Sequence, residues 1–179
     1  MVRLALLFLA ACSYEATLSP GAQADHAVVV TSDCDGSRYG SGVLIGPETA
    51  LTAAHAVPCD DAEVEGAPAT VETIGADVAI LHLAEPVDAL TVSIGPRPRI
   101  GNRICLEPAI PQRRRSCGWV LGIEQQLVIH SAPVWPGNSG AGVWDDEGRL
   151  VAIAVGQHRS YDDYPMGGAA ELLAPWEGM

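Results

Sequence analysis

Lysine is absent from this sequence: each of the 10 basic residues among 179 is an arginine, against 22 acidic residues, and the formal net charge is −12. A chain without lysine cannot build a serine–lysine dyad or a lysine Schiff base. The acidic excess argues against binding nucleic acid and against electrostatic docking on anionic lipid. The one basic cluster, Arg113-Arg114-Arg115, is predicted to be a solvated loop tip rather than a binding patch.

Aromatic residues are also scarce, at 5% of the chain, and the single phenylalanine is Phe8. The core must therefore be built mainly from valine, isoleucine, leucine and alanine. We expect the four tryptophans to be the large pieces of that core. They are Trp119, Trp135, Trp144 and Trp176.

The N-terminal apolar run, Leu4–Leu9, is too short to span a bilayer. It follows Arg3 and precedes two alanines, which is the order of charge, apolar core and small residues in a signal peptide. The segment Leu9-Ala10-Ala11-Cys12 also resembles a bacterial lipobox, where a signal peptidase cuts before an acylated cysteine. We therefore predict that residues 1–11 are removed and that Cys12 is a lipidated N-terminus, since several acyl chains anchor a protein stably.

This prediction places the protein in the bacterial cell envelope as an exported, membrane-anchored lipoprotein on the periplasmic or surface face. Residues 12–25 have no sustained periodicity and are predicted to be the lipidated end and its tether. The alternative is an ordinary secretory signal with an incidental cysteine, in which case the protein is secreted.

Four further cysteines, an even number in an exported chain, predict two disulfides with three connectivities open. They are Cys34, Cys59, Cys105 and Cys117. Because no C-x-x-C pair or finger-type histidine spacing is present, no zinc or other metal site is predicted.

Short apolar runs separated by Gly, Pro and Asp recur along the chain, and helix signals are nearly absent, which is typical of an all-β barrel or sandwich. Between the two halves, residues 93–101 contain Pro96 and Pro98 and are predicted to be a connector. Six candidate strands precede it: 27–31, 40–45, 50–53, 62–65, 70–74 and 78–83. Six follow it: 103–107, 118–123, 126–131, 142–144, 150–154 and 168–172.

Three segments carry the parts of a nucleophilic hydrolase: Thr52-Ala53-Ala54-His55, Asp77-Val78-Ala79-Ile80-Leu81 and Gly137-Asn138-Ser139-Gly140. A serine nucleophile needs an imidazole to take its proton and a buried carboxylate to hold that imidazole in one tautomer. The chain order His, Asp, Ser is that of the chymotrypsin fold, whereas α/β-hydrolases and subtilisins use other orders.

With Gly40-Ser41-Gly42-Val43-Leu44-Ile45, these segments resemble the trypsin-like, chymotrypsin-fold serine peptidases from about residue 26 to 173. The resemblance implies two six-stranded antiparallel β-barrels, about 26–92 and 102–173, packed face to face with the active site in the cleft, and a short tail at 174–179. It also implies a serine endopeptidase that forms an acyl-enzyme, needs no cofactor, acts as a monomer and takes protein or peptide substrates. His55 would be the general base, Asp77 the orienting carboxylate and Ser139 the nucleophile, and the amides of Gly137 and Ser139 would form the oxyanion hole.

The resemblance also bears on the pairing of the cysteines and on activation. Cys34–Cys59 is favoured because a disulfide brackets the histidine segment in many relatives, and Cys105–Cys117 because it closes a short local loop. Asn138 stands where animal trypsins carry the aspartate that pairs with a newly cut N-terminus, so no activation by that route is expected.

By the same analogy, the primary specificity pocket is lined by Pro133, Val134, Ala154, Val155 and Gly156, with residues near Gly167-Gly168. Proline instead of a carboxylate six residues before the serine argues against cleavage after Lys or Arg and favours small or medium apolar residues. Gln157 or His158 could instead receive an acidic side chain. Two other functions remain open: a non-catalytic binding protein that retains the fold, and an esterase with the same chemistry.

Overall fold

The chain folds into twelve strands in a computed structural model that describes residues 26–33, 36, 38–88, 92–110, 114–157 and 168–173. The strands of the first half are β1 Ala27–Ser32, β2 Arg38–Gly46, β3 Thr49–Ala53, β4 Asp61–Val64, β5 Ala67–Thr73 and β6 Val78–Leu83. Those of the second half are β7 Arg103–Glu107, β8 Ser116–Glu124, β9 Leu127–His130, β10 Gly142–Trp144, β11 Leu150–Gln157 and β12 Gly168–Leu172.

These strands close into two antiparallel barrels of six strands each, which confirms the predicted all-β architecture. Barrel one has the order β1-β2-β3-β6-β5-β4, and barrel two has the order β10-β11-β12-β9-β8-β7. The predicted strands all exist, and the largest differences lie at the ends of β2, β5, β8 and β11, which begin or end two to three residues beyond the apolar runs. The additional residues include Pro68 on β5 and Gly156 on β11, residue types that are depleted in strands and therefore give no strand signal in the sequence.

Small and branched aliphatic side chains fill the two barrels. Barrel one buries Val30, Ala50 and Leu81, and barrel two buries Ile104, Val128 and Ala152, among others. A third cluster combines residues of both barrels and forms the contact between them: Val43, Leu51, Val78, Ile80, Val92, Trp144, Leu150 and Ile153. The two barrels therefore share one continuous apolar interface.

The prediction that tryptophans fill the core is wrong for Trp119, whose exposed fraction is 54%, while Trp144 is buried. Trp119 lies on β8 between Gly118 and Val120, which are both buried, so the alternation of a strand turns the indole outward. Trp135 is half-buried, and Trp176 lies outside the described residues.

Cys105 and Cys117 form a disulfide between β7 and β8, as predicted. Cys59 is also disulfide-bonded, and its predicted partner Cys34 lies outside the described residues, as do Cys12, the predicted signal and tether, His158, Gly167 and the tail. Within the described ranges, no helix has the length and apolar character needed to cross a membrane. The same residues contain no group of three His, Cys, Asp or Glu side chains that could hold a metal ion.

Candidate active site

His55 lies on a short 3-10 turn, Ala54–Ala56, that directly follows β3. Ala53 at the end of β3 is buried, whereas the side chain of His55 has an exposed fraction of 45%. The apolar strand thus ends at the surface between the barrels, where the imidazole is accessible. This placement agrees with the expectation from the sequence that His55 ends a strand and faces a cleft.

Asp77 occupies the turn just before β6, and the pairing of Ala53 with Val78 brings that turn beside His55. One carboxylate oxygen, Oδ2, lies 2.7 Å from His55 Nδ1, and the other, Oδ1, accepts the backbone N–H of His55 at 2.9 Å. The carbonyl of Asp77 accepts the amide of Ala54 at 2.9 Å. Asp77 is therefore fixed to the histidine turn through both its backbone and its side chain.

Ser139 belongs to the loop between β9 and β10, and its Oγ lies 2.8 Å from His55 Nε2. The loop folds on itself through hydrogen bonds from the Asn138 amide to the Trp135 carbonyl and from the Ala141 amide to the Asn138 carbonyl. Gly140 has φ +84°, and a Cβ there would overlap the Ser41 carbonyl and the Thr52 hydroxyl. Only glycine fits at this position next to the serine.

Two amides of this loop are available to a ligand. Gly137 has φ +93°, and within the described residues neither its amide nor that of Ser139 donates a hydrogen bond. The Gly137 carbonyl, in contrast, is held by the Ser41 hydroxyl at 2.9 Å. The Asn138 carbonyl, which shares a peptide group with the Ser139 N–H, accepts the Ala141 amide, and the Gly137 carbonyl belongs to the peptide group between these two N–H groups. The backbone around both amides is therefore fixed by its carbonyls.

Ser41 ties barrel one to the serine loop of barrel two. Its side chain is completely buried, and its hydroxyl also accepts the amide of Ala109 at 3.1 Å. Its own amide donates to the Ser139 carbonyl at 2.8 Å, and its carbonyl accepts the Thr52 hydroxyl. No role was predicted for Ser41, although the surrounding glycines of Gly40-Ser41-Gly42 mark a close backbone approach.

The residues predicted to line the specificity pocket divide into two groups. Val134 and Ala154 are buried in the core of barrel two, whereas Pro133, Val155 and Gly156 are half-buried. The Ala154 carbonyl also accepts the Gly140 amide, which holds β11 against the serine loop.

Among the described residues, the three other histidines form no hydrogen bond with Ser139. His26 packs on Trp144, with ring centroids 5.9 Å apart, and His82 pairs with Glu72 at the surface. His130 is fully buried. That burial lowers the pKa of His130 to about 4, against a smaller opposing effect of the Ala132 backbone, so the ring is neutral at pH 7.

A second residue that the sequence analysis missed is Glu171, which lies on β12 and is buried. Its carboxylate accepts the backbone amides of Ala76 and Asp77. The signal available in the sequence was a single acidic residue inside the apolar strand Gly168–Leu172, where an uncompensated charge is costly.

A model of the trypsin-like peptidase domain matches residues 40–153, which include His55, Asp77 and Ser139. The chain belongs to the trypsin-like peptidase family. No curated protein matches the sequence.

Solved structures of proteases share the trypsin-like fold of this chain at low sequence identity. The Rv3671c protease in an inactive form has a TM-score of 0.68 and 18% identity, with 84% of this chain and 85% of that chain covered. The active form of the same protease, from M. tuberculosis, has a TM-score of 0.66 and 17% identity over 84% and 77%. A serine endoprotease from Yersinia pestis has a TM-score of 0.67 and 19% identity over 84% and 59%. These likenesses concern the fold.

Proposed function

We propose that this trypsin-like peptidase is an active serine endopeptidase that works through an acyl-enzyme on Ser139. The observation that carries the proposal is the continuous contact from Asp77 Oδ2 to His55 Nδ1 at 2.7 Å and from His55 Nε2 to Ser139 Oγ at 2.8 Å. A carboxylate on Nδ1 fixes the tautomer in which Nδ1 carries the proton, so Nε2 is free to accept one. Membership of a peptidase family supports the same conclusion.

The reaction follows from this arrangement. Ser139 Oγ attacks the scissile carbonyl carbon while His55 Nε2 takes the hydroxyl proton, and Asp77 stabilises the resulting imidazolium. The imidazolium then returns that proton to the leaving amine, the C–N bond breaks, and an ester on Ser139 remains. Water attacks the ester with His55 again as base, and the acid product leaves as Ser139 recovers its proton.

The amides of Gly137 and Ser139 are the proposed donors to the tetrahedral oxyanion. Both are unengaged within the described part of the chain, and both lie on the loop that carries the nucleophile. Donors aimed in advance at a developing negative charge lower the barrier because they need no reorganisation during the reaction.

For specificity, we propose a preference for small or medium apolar residues at the cleaved position. Pro133 stands six residues before Ser139, where trypsins carry a carboxylate, so no anion is available there for Lys or Arg. Profiling with a peptide library tests this: a preference for cleavage after Arg contradicts it, and a preference for Glu or Asp favours the alternative in which Gln157 or His158 contributes.

We further propose that the peptidase is anchored to a bacterial membrane through acylated Cys12, acts as a monomer, and reaches its protein or peptide substrates on a tether. The support is the lipobox-like segment before Cys12. The mass of the mature N-terminal peptide tests the anchor, since an unmodified N-terminus elsewhere contradicts it.

The decisive experiment for activity is labelling of the purified protein with a fluorophosphonate, followed by intact mass, beside Ser139→Ala. We expect one adduct on the wild type and none on Ser139→Ala. Ser131→Ala, which removes a serine hydroxyl outside the site, should label like the wild type. A folded, disulfide-intact wild type that takes no label contradicts the proposal and favours the non-catalytic binding protein. Labelling combined with cleavage of esters but not of peptides favours the esterase.

A further inference from the structure

The side chain of Glu171 on barrel two forms hydrogen bonds with the turn of barrel one that carries Asp77. Glu171 Oε1 accepts the amide of Ala76 at 2.9 Å, and Oε2 accepts the amide of Asp77 at 2.6 Å. Hydrogen bonds to an ionised carboxylate are stronger than those between neutral groups. One buried carboxylate therefore satisfies two successive amides of the other barrel.

The shape of the turn is matched to this contact. A Cβ on Gly75 would overlap Glu171 Oε1 and would lie 3.0 Å from its carboxyl carbon. Gly75 has no positive φ to explain the choice of glycine. The absence of a side chain at position 75 instead leaves the space in which the Glu171 carboxylate lies.

Glu171 is held in place by its own barrel. It lies inside β12, where it pairs with Leu127 of β9 and with Ile153 of β11. The Asp77 turn, in contrast, is an exposed connection between β5 and β6, and residues 72–76 are exposed. The rigid partner in this contact is the glutamate, and the segment that needs fixing is the turn.

We propose that Glu171 is a positioning residue for the catalytic histidine, acting through the backbone of Asp77. It fixes the amide of Asp77 while the Ala54 amide fixes its carbonyl, and these two anchors set the direction of the carboxylate toward His55 Nδ1. This inference rests on the proposed function, because it concerns the orientation of the same histidine and carboxylate.

The test compares Glu171→Gln with Asp145→Asn in the full-length protein. Glutamine retains the shape but leaves one amide facing an N–H₂ group instead of an acceptor. Asp145 is a matched control: its Oδ1 also accepts two backbone amides, those of Glu147 and Arg149, in a turn away from the site.

Two readouts separate positioning from simple stability. The first is the second-order rate of fluorophosphonate labelling at Ser139, which we expect to fall at least tenfold in Glu171→Gln and to stay unchanged in Asp145→Asn. The second is the downfield proton resonance of His55 Nδ1–H, which reports the bond to Asp77 without any turnover and should shift or broaden only in Glu171→Gln. A labelling rate and a resonance both equal to the wild type overturn the inference.

A second variant covers the case in which Glu171→Gln fails to fold. Gly75→Ala displaces the same carboxylate from the opposite side, and Gly46→Ala, where an added Cβ meets nothing within 4 Å, is its control. Gly75→Ala should reproduce the slower labelling and the shifted resonance, and wild-type values in a folded Gly75→Ala overturn the inference. A third outcome is a wild type that takes no label but whose His55 resonance still changes in Glu171→Gln. That result would contradict the proposed activity and support the positioning of the Asp77 turn by Glu171.

Discussion

The backbone amide of Ser41 donates a hydrogen bond of 2.8 Å to the carbonyl of Ser139. Barrel one therefore holds the serine of barrel two, while Glu171 of barrel two holds the carboxylate turn of barrel one. The ties run in opposite directions across the interface. A displacement of one barrel against the other would disturb the nucleophile and the carboxylate together, so the geometry of the site depends on how the barrels dock.

Ser41→Ala should slow the reaction and destabilise the protein. The substitution leaves the Gly137 carbonyl and the Ala109 amide without the hydroxyl that joins them, at a cost of about 1–3 kcal/mol. Chemical denaturation measures the stability, and fluorophosphonate labelling measures the reactivity of Ser139. Ser131→Ala is the control, because its hydroxyl accepts a backbone amide of Trp119 outside the site. Equal labelling rates for both variants would contradict a role of Ser41 in holding the loop.

Gly137→Ala should remove one donor of the proposed oxyanion hole. An alanine at φ +93° is strained, and its Cβ would overlap the end of the Ile110 side chain, so the peptide group must rotate. Loss of one such donor typically lowers kcat by about 10²–10³.

The control for this change is Gly66→Ala, at φ +84° in a hairpin with nothing within 4 Å of the added Cβ. It carries the same backbone strain far from Ser139, so it should lower stability and leave kcat unchanged. Similar kcat values for the two variants would mean that the Gly137 amide does not act on the oxyanion.

Asp77→Asn should lower kcat by about 10⁴, because an amide N–H₂ facing His55 Nδ1 favours the tautomer whose Nε2 carries a proton and cannot accept one. Asparagine has the same shape as aspartate, so it can retain the hydrogen bond from the His55 amide at 2.9 Å and place its N–H₂ group at the position of Oδ2, 2.7 Å from His55 Nδ1. The measurement is kcat for peptide hydrolysis by Asp77→Asn and by Asp88→Asn. Asp88 is an exposed carboxylate and serves as the control. If Asp77→Asn kept the activity of the wild type, a group other than Asp77 would have to orient His55.

The sequence predicted the architecture well because the features that determine it are local. Most of the barrel strands contain a short apolar run, and β6, β7, β10 and β12 begin and end as predicted. The exposed Trp119 was mispredicted because it alternates on β8 with Gly118 and Val120, which are both buried. Which face of a strand points inward depends on the register, and the scarcity of aromatic residues does not determine it.

The residues at the centre of the candidate site were also predictable, since a histidine at a strand end and a serine among glycines have local signatures. Ser41 and Glu171 were not, because their roles exist only when two barrels meet. Each satisfies backbone groups 68 to 96 residues away in the chain, and a contact at that separation has no sequence pattern. The only local signs in the sequence are that Ser41 lies between two glycines and that Glu171 is an acidic residue within an apolar strand.

The buried imidazole of His130 should make the protein less stable in mild acid. Its pKa is lowered from 6.5 to about 4 by burial, so between these values the unfolded chain takes up a proton that the folded protein does not. The free energy of unfolding therefore falls as the pH falls through this window, by about 2 kcal/mol between pH 7 and pH 5.

Urea denaturation of the wild type and of His130→Leu at both pH values isolates this contribution. The leucine variant fills a similar volume and cannot titrate, so its stability should change less between pH 7 and pH 5. His82→Gln, which removes a half-exposed histidine that pairs with Glu72 at the surface, is measured beside it. Equal pH dependence in the wild type and His130→Leu would show that His130 does not resist protonation in the folded state.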